Sequence, residues 1–242
     1  MLANLKTLYH LTLAPVRGDT HQQRMENFYA SQAGHYDAFR DKLLHGRAEL
    51  FSAIQAPEGA VWLDVGGATG ANIEHCAPQL PRVSKVWIVD LSPSLLKIAE
   101  DRIKARGWRN VQTLQADATN LDPPQRPVDV ITFSYSLTMI PDWCAALERA
   151  FDLLKPGGII GVVDFYVSHK YPPPARAKHG WLTRTFWPAW FACDNADLSP
   201  DRLTWLLRKF QTIRLDERHG PLPWLPFTRV PFFTFIGRKP GL

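Results

Sequence analysis

Between Ala60 and Gly161 the chain alternates short β-branched runs with stretches of helical period, and that alternation leaves few architectures open. Strands separated by helices cannot pair as tight hairpins. Each helix has to cross over and lay the next strand parallel to the last. The expected strands are Val61–Val65, Val86–Asp90, Val111–Gln115, Val128–Phe133 and Ile159–Phe165. Between the second and third lies a helix marked at both ends. Ser92 caps it, Pro93 fills its first turn, Leu95, Leu96, Ile98, Ala99 and Ile103 form its buried stripe, and Gly107 stops it. Another helix is expected from about Pro141 to Leu154, ended by Lys155-Pro156-Gly157-Gly158. A helix from about Pro200 to Phe210 and strands near Thr212–Glu217 and Phe232–Gly237 follow, which brings the sheet to seven. The fold class is therefore α/β, a doubly wound and mostly parallel seven-stranded sheet with helices on both faces.

The length, 242 residues, suits one well-cored domain with additions. Residues 1–56 are expected to form an N-terminal helical cap on the substrate and membrane side, with helix from His21 to Ile54. Residues 57–242 make the sheet domain, interrupted at about 168–200 by an insertion whose stretch His169–Cys193 is rich in Pro and aromatics and reads as irregular. Cys76, Cys144 and Cys193 are odd in number and widely spaced, and the histidines never pair at ligand spacing. Neither a disulfide framework nor a metal site is expected, and a reducing cytoplasm fits. No apolar run approaches the ~18 residues of a spanning helix; Met1 to Val16 is too short to span a bilayer and lacks a small-residue cleavage site, so neither a signal peptide nor an anchor is expected there.

Charge is unevenly placed. Residues 1–168 hold 16 Lys+Arg against 18 Asp+Glu, whereas residues 169–242 hold 12 against 5 and carry 13 of the 28 aromatic residues. A cationic, aromatic-rich tail on a near-neutral body points to an anionic surface as partner. The mixing of Trp with Lys and Arg from Arg176 to Phe191 is the composition of a lipid interface, so peripheral membrane association is expected and nucleic acid is not.

The chemistry starts at Leu63-Asp64-Val65-Gly66-Gly67-Ala68-Thr69-Gly70-Ala71-Asn72, a nearly side-chain-free turn between a strand and a helix. Such a turn lets backbone approach a nucleoside closely. Alone it also reads as a degraded dinucleotide loop, Gly66-x-Ala68-x-x-Ala71. Asp90-Leu91, closing the second strand, suits a ribose diol in either case. Asp117-Ala118, just past the third strand, decides between them, since a dinucleotide fold has no fixed need of an acid there; taken alone, Asp117 is equally a loop acid. The run resembles motif I of class I methyltransferases. That resemblance implies S-adenosylmethionine as cofactor, with Asp64, Gly66, Gly67, Gly70 and Asn72 around its amino-acid end, Asp90 and Leu91 at the ribose, and Asp117 and Ala118 at the adenine. Ala68 stands where that family often has glycine.

A narrower resemblance covers most of the chain from Phe28 onward. Phe28-Tyr29-x-x-Gln32-Ala33-x-x-Tyr36-Asp37-x-x-Arg40-x-x-Leu43-Leu44-x-Gly46-Arg47, Ser134-Tyr135-Ser136-Leu137-Thr138-Met139-Ile140-Pro141 and Val163-Asp164-Phe165 are similar to segments of betaine-lipid N-methyltransferases. These convert diacylglyceryl-homoserine to diacylglyceryl-trimethylhomoserine. The resemblance implies a lipid-amine acceptor and a partner aminocarboxypropyl transferase. It places Tyr36 and Tyr135 near the methyl group, and gives Tyr36, Arg40, Ser134 and Tyr135 to the cofactor site. An amine that becomes cationic calls for aromatic faces, worth roughly 0.5–2 kcal/mol each. Core packing is the other reading of both tyrosines, and a capping acid is that of Asp164, otherwise placed to offset the growing charge. Arg40 and Arg47 have the fork to hold a carboxylate, of the head group or of the cofactor, or else face solvent from a helix. Phosphatidylethanolamine, a quinone or another apolar small molecule are alternative acceptors, and a non-catalytic membrane-docking protein is the alternative of another class.

Overall fold

The computed structural model describes residues 23, 26, 43–192, 196–222 and 225–241. It begins with α1 (Arg47–Ala53), β1 (Val61–Val65) and a 3₁₀ segment (Ala71–Arg82), then β2 (Lys85–Asp90), α2 (Pro93–Arg106), β3 (Val111–Gln115) and β4 (Val128–Ser134). It continues with α3 (Trp143–Leu153), β5 (Leu154–Phe165), α4 (Trp181–Ala192), α5 (Asp201–Lys209), β6 (Gln211–Leu222) and β7 (Leu225–Arg238). The seven strands form one sheet in the order β3-β2-β1-β4-β5-β7-β6. β1 to β5 run parallel, and β7 lies antiparallel between β5 and β6. Strand order reverses at β1, which sits between β2 and β4. The carboxyl ends of these strands therefore flank the crevice where doubly wound sheets take their ligands.

Alternation along β1 sorts its side chains into two layers. Trp62 joins Val86, Ile88, Val130, Leu50 and Phe51 on the α1 face, with Phe51 and Trp62 stacked 5.9 Å apart. Leu63 and Val65 join Ile131, Phe133, Leu147 and Leu203 on the face covered by α3 and α5. The anticipated α2 forms as expected. Ser92 Oγ accepts from Leu95 N at 3.3 Å, and Gly107 at φ +67° closes the helix.

Three elements depart from expectation. The segment after the Gly-rich turn is 3₁₀ rather than α, closed by bonds such as Val83 N to Leu80 O at 3.1 Å; Pro78 and Pro81 remove donors that an α-helix needs. α3 ends at Leu153, close to expectation, but β5 starts at Leu154, so Lys155-Pro156-Gly157-Gly158 is strand rather than turn. It bulges within the strand, where Val128 pairs with Leu154 but Val130 with Ile159, and Gly158 O is taken by Lys239 N at 2.8 Å. The insertion is not wholly irregular, because α4 forms across Pro188. Its aromatic residues recur at helical spacing, and the buried Trp187 and the partly buried Phe191 fasten it to the sheet domain. No helix among the described residues is long and apolar enough to cross a membrane.

Candidate active site

The turn after β1 is held down by backbone bonds from Gly66 N and Gly67 N to Val89 O, at 2.8 and 3.0 Å. Gly67 leaves no room for a side chain, since a Cβ there would lie 2.9 Å from both Asp64 Oδ2 and Ile88 Cγ2. Above this turn opens a cavity of about 310 Å³, within the range of small-molecule sites. One side is built from Gly66, Ala68, Leu91 and Leu95, the floor from Asp90, Asp117 and Ala118, and the other side from Tyr135, Ser136 and Met139 to Asp142.

Asp90 is fixed from two directions: Oδ2 accepts from Ala68 N and Oδ1 from Ser92 N, both at 2.9 Å. The carboxylate is thus part of the turn's own architecture and also lines the cavity. Asp117 Oδ1 accepts from Thr119 N and Thr119 Oγ1, both at 2.8 Å, which fixes the carboxylate on the cavity wall. Two carboxylates at neighbouring strand tips match the ribose hydroxyls and the exocyclic amine of an adenosyl group, all of which can donate to them. The acceptor set fits S-adenosylmethionine.

The expected third carboxylate does not reach this cavity. Asp64 shares the Trp62 face of β1, is fully buried beneath the turn, and is off the cavity wall. It accepts from Thr132 Oγ1 at 2.8 Å and Asn72 Nδ2 at 3.1 Å, and burial pushes its carboxyl up to about 6. Asn72, Gly67 and Gly70 are likewise off the wall, shaping the turn from behind. Arg47 is no solvated helix residue. It is buried, with Nη1 3.4 Å from Asn72 Oδ1, so it belongs to this support behind the loop.

Asp164 is also withdrawn from the wall. Fully buried, it accepts from Thr138 N and Thr138 Oγ1 at 3.1 Å and from Phe165 N at 2.8 Å. Burial pushes its carboxyl up to about 6, against the pull of the buried Arg202 guanidinium. Asp197 N takes Thr138 O at 2.9 Å, and Arg202 grips Asp197 through Nη1 to O at 2.5 Å and Nη2 to Oδ2 at 3.2 Å. Together they clamp the stretch after β4 that makes one side of the cavity. Ser134, buried in the strand with no partner for its Oγ among the described residues, stops short of the wall; Ser136, two residues on, reaches it and donates to Val65 O at 2.9 Å.

Tyr135 is where expectation and geometry agree most closely. It lines the cavity at φ +55°, a costly conformation for a bulky residue and one that clusters at functional sites. Its hydroxyl donates to His45 O at 2.7 Å and its ring lies 4.5 Å from that of Phe165. Burial holds the phenol well above its ordinary range, so it stays neutral. Tyr36 and Arg40 lie outside the described residues. Sequence reasoning missed Leu95, Ser136 and Asp142 as wall residues, although Asp142 is also the cap of α3, accepting from Ala145 N at 3.0 Å, and carries the sequence signature of one.

Comparison with known proteins agrees with this geometry. The family described as a methyltransferase domain matches residues 36–215. The chain is 27% identical over 143 residues to the demethylmenaquinone methyltransferase of Geobacillus stearothermophilus, covering 57% of this chain and 61% of that protein. It is 29% identical over 162 residues to the ubiquinone/menaquinone biosynthesis C-methyltransferase UbiE of Hydrogenovibrio crunogenus, covering 64% and 63%. It therefore spans about three fifths of the length of these curated relatives. Among solved structures it resembles the Haemonchus contortus phosphoethanolamine N-methyltransferase 2 in complex with phosphomonomethylethanolamine and S-adenosylhomocysteine. That likeness has a TM-score of 0.68 at 14% identity, over 92% of this chain and 61% of that one, and it speaks to fold. The chain belongs to the methyltransferase-domain family and has the class I methyltransferase fold.

Proposed function

We propose that this enzyme methylates the amine of a lipid head group, with diacylglyceryl-homoserine as acceptor and the betaine lipid diacylglyceryl-trimethylhomoserine as product. The observation that carries the amine reading is the charge of the cavity. Apart from Asp90 and Asp117, which the adenosyl group takes, the one charged wall side chain among the described residues is Asp142, with no Lys, Arg or His. A nucleophile that is neutral and leaves as a cation suits such a wall; an anionic nucleophile does not. The lipid and its head group rest on the sequence resemblance.

In this reading Asp90 holds the ribose hydroxyls, Asp117 and Ala118 the adenine, and the backbone of Gly66 to Ala68 the nearby chain of the cofactor. S-adenosylmethionine supplies the electrophilic methyl when bound. Tyr135, neutral and rigidly held, offers its ring face to the ammonium that forms, worth roughly 0.5–2 kcal/mol. Its hydroxyl, committed to His45 O, is no general base. The acceptor amine arrives already deprotonated, and the protein's share of the catalysis is alignment and exclusion of water. Asp164 acts at one remove, through Thr138. Arg47 steadies Asn72 behind the turn, so Arg40 is assigned the carboxylate of the head group. Residues 1–56 are read as the cap over the acceptor, consistent with hydrogen bonds from Ser92 Oγ, at 2.6 Å, and Ser94 Oγ to Glu26 at the start of α2. The substrate calls for a preceding aminocarboxypropyl transferase working on diacylglycerol.

A second reading, transfer to a ring carbon of an isoprenoid quinol, is favoured by the names of the curated relatives. Methyl-labelled cofactor incubated separately with diacylglyceryl-homoserine, phosphatidylethanolamine and a demethylmenaquinol decides between them. Label in the homoserine lipid is expected. Label confined to the quinol would overturn the amine reading, and label confined to phosphatidylethanolamine would overturn the head group alone.

A further inference from the structure

Four of the five large apolar side chains that stand exposed among the described residues fall within one short stretch: Tyr171, Trp181, Leu182 and Phe186. Three of them lie on α4, at 69%, 71% and 46% exposure, while Trp187, turned away from them round the helix, is buried. Helical geometry puts Leu182 and Phe186 one above the other, so the exposed side chains make a continuous strip rather than scattered accidents. Between Phe165 and Ala192 the chain carries Lys170, Arg176, Lys178 and Arg184 and not one Asp or Glu. Arg176 is committed to Glu217 at 2.7 Å, whereas Lys170, over the Tyr171 ring at 5.2 Å, and Lys178, three residues before α4, are exposed.

The inner side of α4 leads to the cavity. Phe186 packs on Trp187 at 5.0 Å, Trp187 on Phe191 at 6.1 Å, Phe191 on Phe165 at 4.9 Å and Phe165 on Tyr135 at 4.5 Å. An unbroken file of rings thus runs from the outer surface of the helix to the cavity wall.

We infer that α4 is the element on which this enzyme rests against an anionic lipid bilayer. Trp181, Leu182 and Phe186 enter the headgroup boundary, and Lys170 and Lys178 meet the lipid phosphates. The inference draws on the lipid reading of the acceptor and adds to it the surface through which the acceptor is reached. Amphipathic Trp and Phe flanked by cations are the residue types that settle at that depth, and a run without carboxylates avoids repulsion by anionic head groups. An apolar protein partner would need no such one-signed rim.

Sedimentation of the full chain with vesicles tests this, using equal parts phosphatidylglycerol and phosphatidylcholine against phosphatidylcholine alone. The wild type is expected to partition onto the mixed vesicles. Trp181→Ser, Leu182→Ser and Phe186→Ser together should cost a hundredfold or more, at roughly tenfold for each large apolar side chain withdrawn. Binding of S-adenosylhomocysteine, whose cavity these residues do not line, should be unchanged and reports that the variant is folded. Lys170→Glu with Lys178→Glu should weaken binding at low salt and lose its effect at high salt, as screened attraction does. Unaltered partitioning of the triple variant would overturn the inference, as would a wild type that ignores mixed vesicles and forms a dimer broken by the same substitutions. Vesicle binding without methylation of any lipid amine would sink the acceptor reading and leave the docking surface standing. Methylation of a detergent-dispersed lipid amine by a protein that never sediments with vesicles would do the reverse.

Discussion

Replacing Arg202 with methionine removes a positive charge that never touches the cavity yet should disturb it. Its guanidinium is fully buried, bonded twice to Asp197, and offsets the buried carboxylate of Asp164. Breaking a buried charge pair from one side costs about 3–5 kcal/mol when the remaining charge is left uncompensated. Asp164 can escape by taking a proton, and that makes the cost depend on pH. With Arg202 in place its folded-state carboxyl sits at about 6, above the ordinary value of 3.8. A raised carboxyl binds protons in the folded state that the unfolded state has already lost, so stability falls as pH climbs from about 4 through the folded value. Without the guanidinium the folded value moves higher still, and the fall continues past pH 6. The variant should therefore lose about 3–5 kcal/mol at pH 8 and at least 1 kcal/mol less at pH 6. Urea denaturation of both proteins at the two pH values measures this, and the Michaelis constant for S-adenosylmethionine should rise as the Thr138 stretch loosens. An equal loss at both pH values would show that Arg202 packs but does not balance Asp164.

Asp90→Asn puts an amide N–H against one of two backbone donors and removes a charged acceptor. Affinity for S-adenosylhomocysteine, read by calorimetry, should fall about 10- to 100-fold at roughly 1.5–3 kcal/mol, and unchanged affinity would remove Asp90 from the cofactor site. Tyr135→Phe keeps the ring and loses only the bond to His45 O, so it should cost about 1 kcal/mol of stability and less than tenfold in kcat, whereas Tyr135→Ala should cost far more in kcat. Equal kcat losses would move the role from the ring face to the hydroxyl. Ala68 stands at φ +49°, where a Cβ costs about 1–2 kcal/mol. Glycine there forfeits only about 0.4–1 kcal/mol through the freer unfolded chain, so Ala68→Gly should raise Tm slightly, and a fall would show that the Cβ packs usefully.

The sheet was legible because its signals are local and redundant. β1 and β3 are bounded as the β-branched runs suggest, and α2 carries a capping serine, a first-turn proline and a closing glycine that all agree. The errors came where a breaker residue was outvoted by long-range packing. The Pro-rich stretch His169–Cys193 was read as irregular although Trp187 and Phe191 hold a helix across Pro188, and Lys155-Pro156-Gly157-Gly158 as a turn although β5 runs through it. The cavity was half legible. Asp90 and Asp117 could be placed because a residue at a strand tip faces the crevice whatever its side-chain parity. Asp64 could not, because one step back along the same strand parity decides, and it sends the carboxylate under the turn. Arg202 and Asp197 left no trace in the pattern, since their meeting with Asp164 depends on how α5 settles over a distant part of the chain.

The insertion of β7 between β5 and β6 orders the chain's birth. β1 to β4, which carry the turn, Asp90 and Asp117, can assemble while the remainder is still being synthesised. The far side of β5 stays open until β7 emerges and slides into an interior slot. Until then β5 presents an unfinished edge, a surface on which a neighbouring nascent polypeptide can add itself. A pause or a truncation just before Leu225 should therefore yield insoluble product rather than a smaller working enzyme.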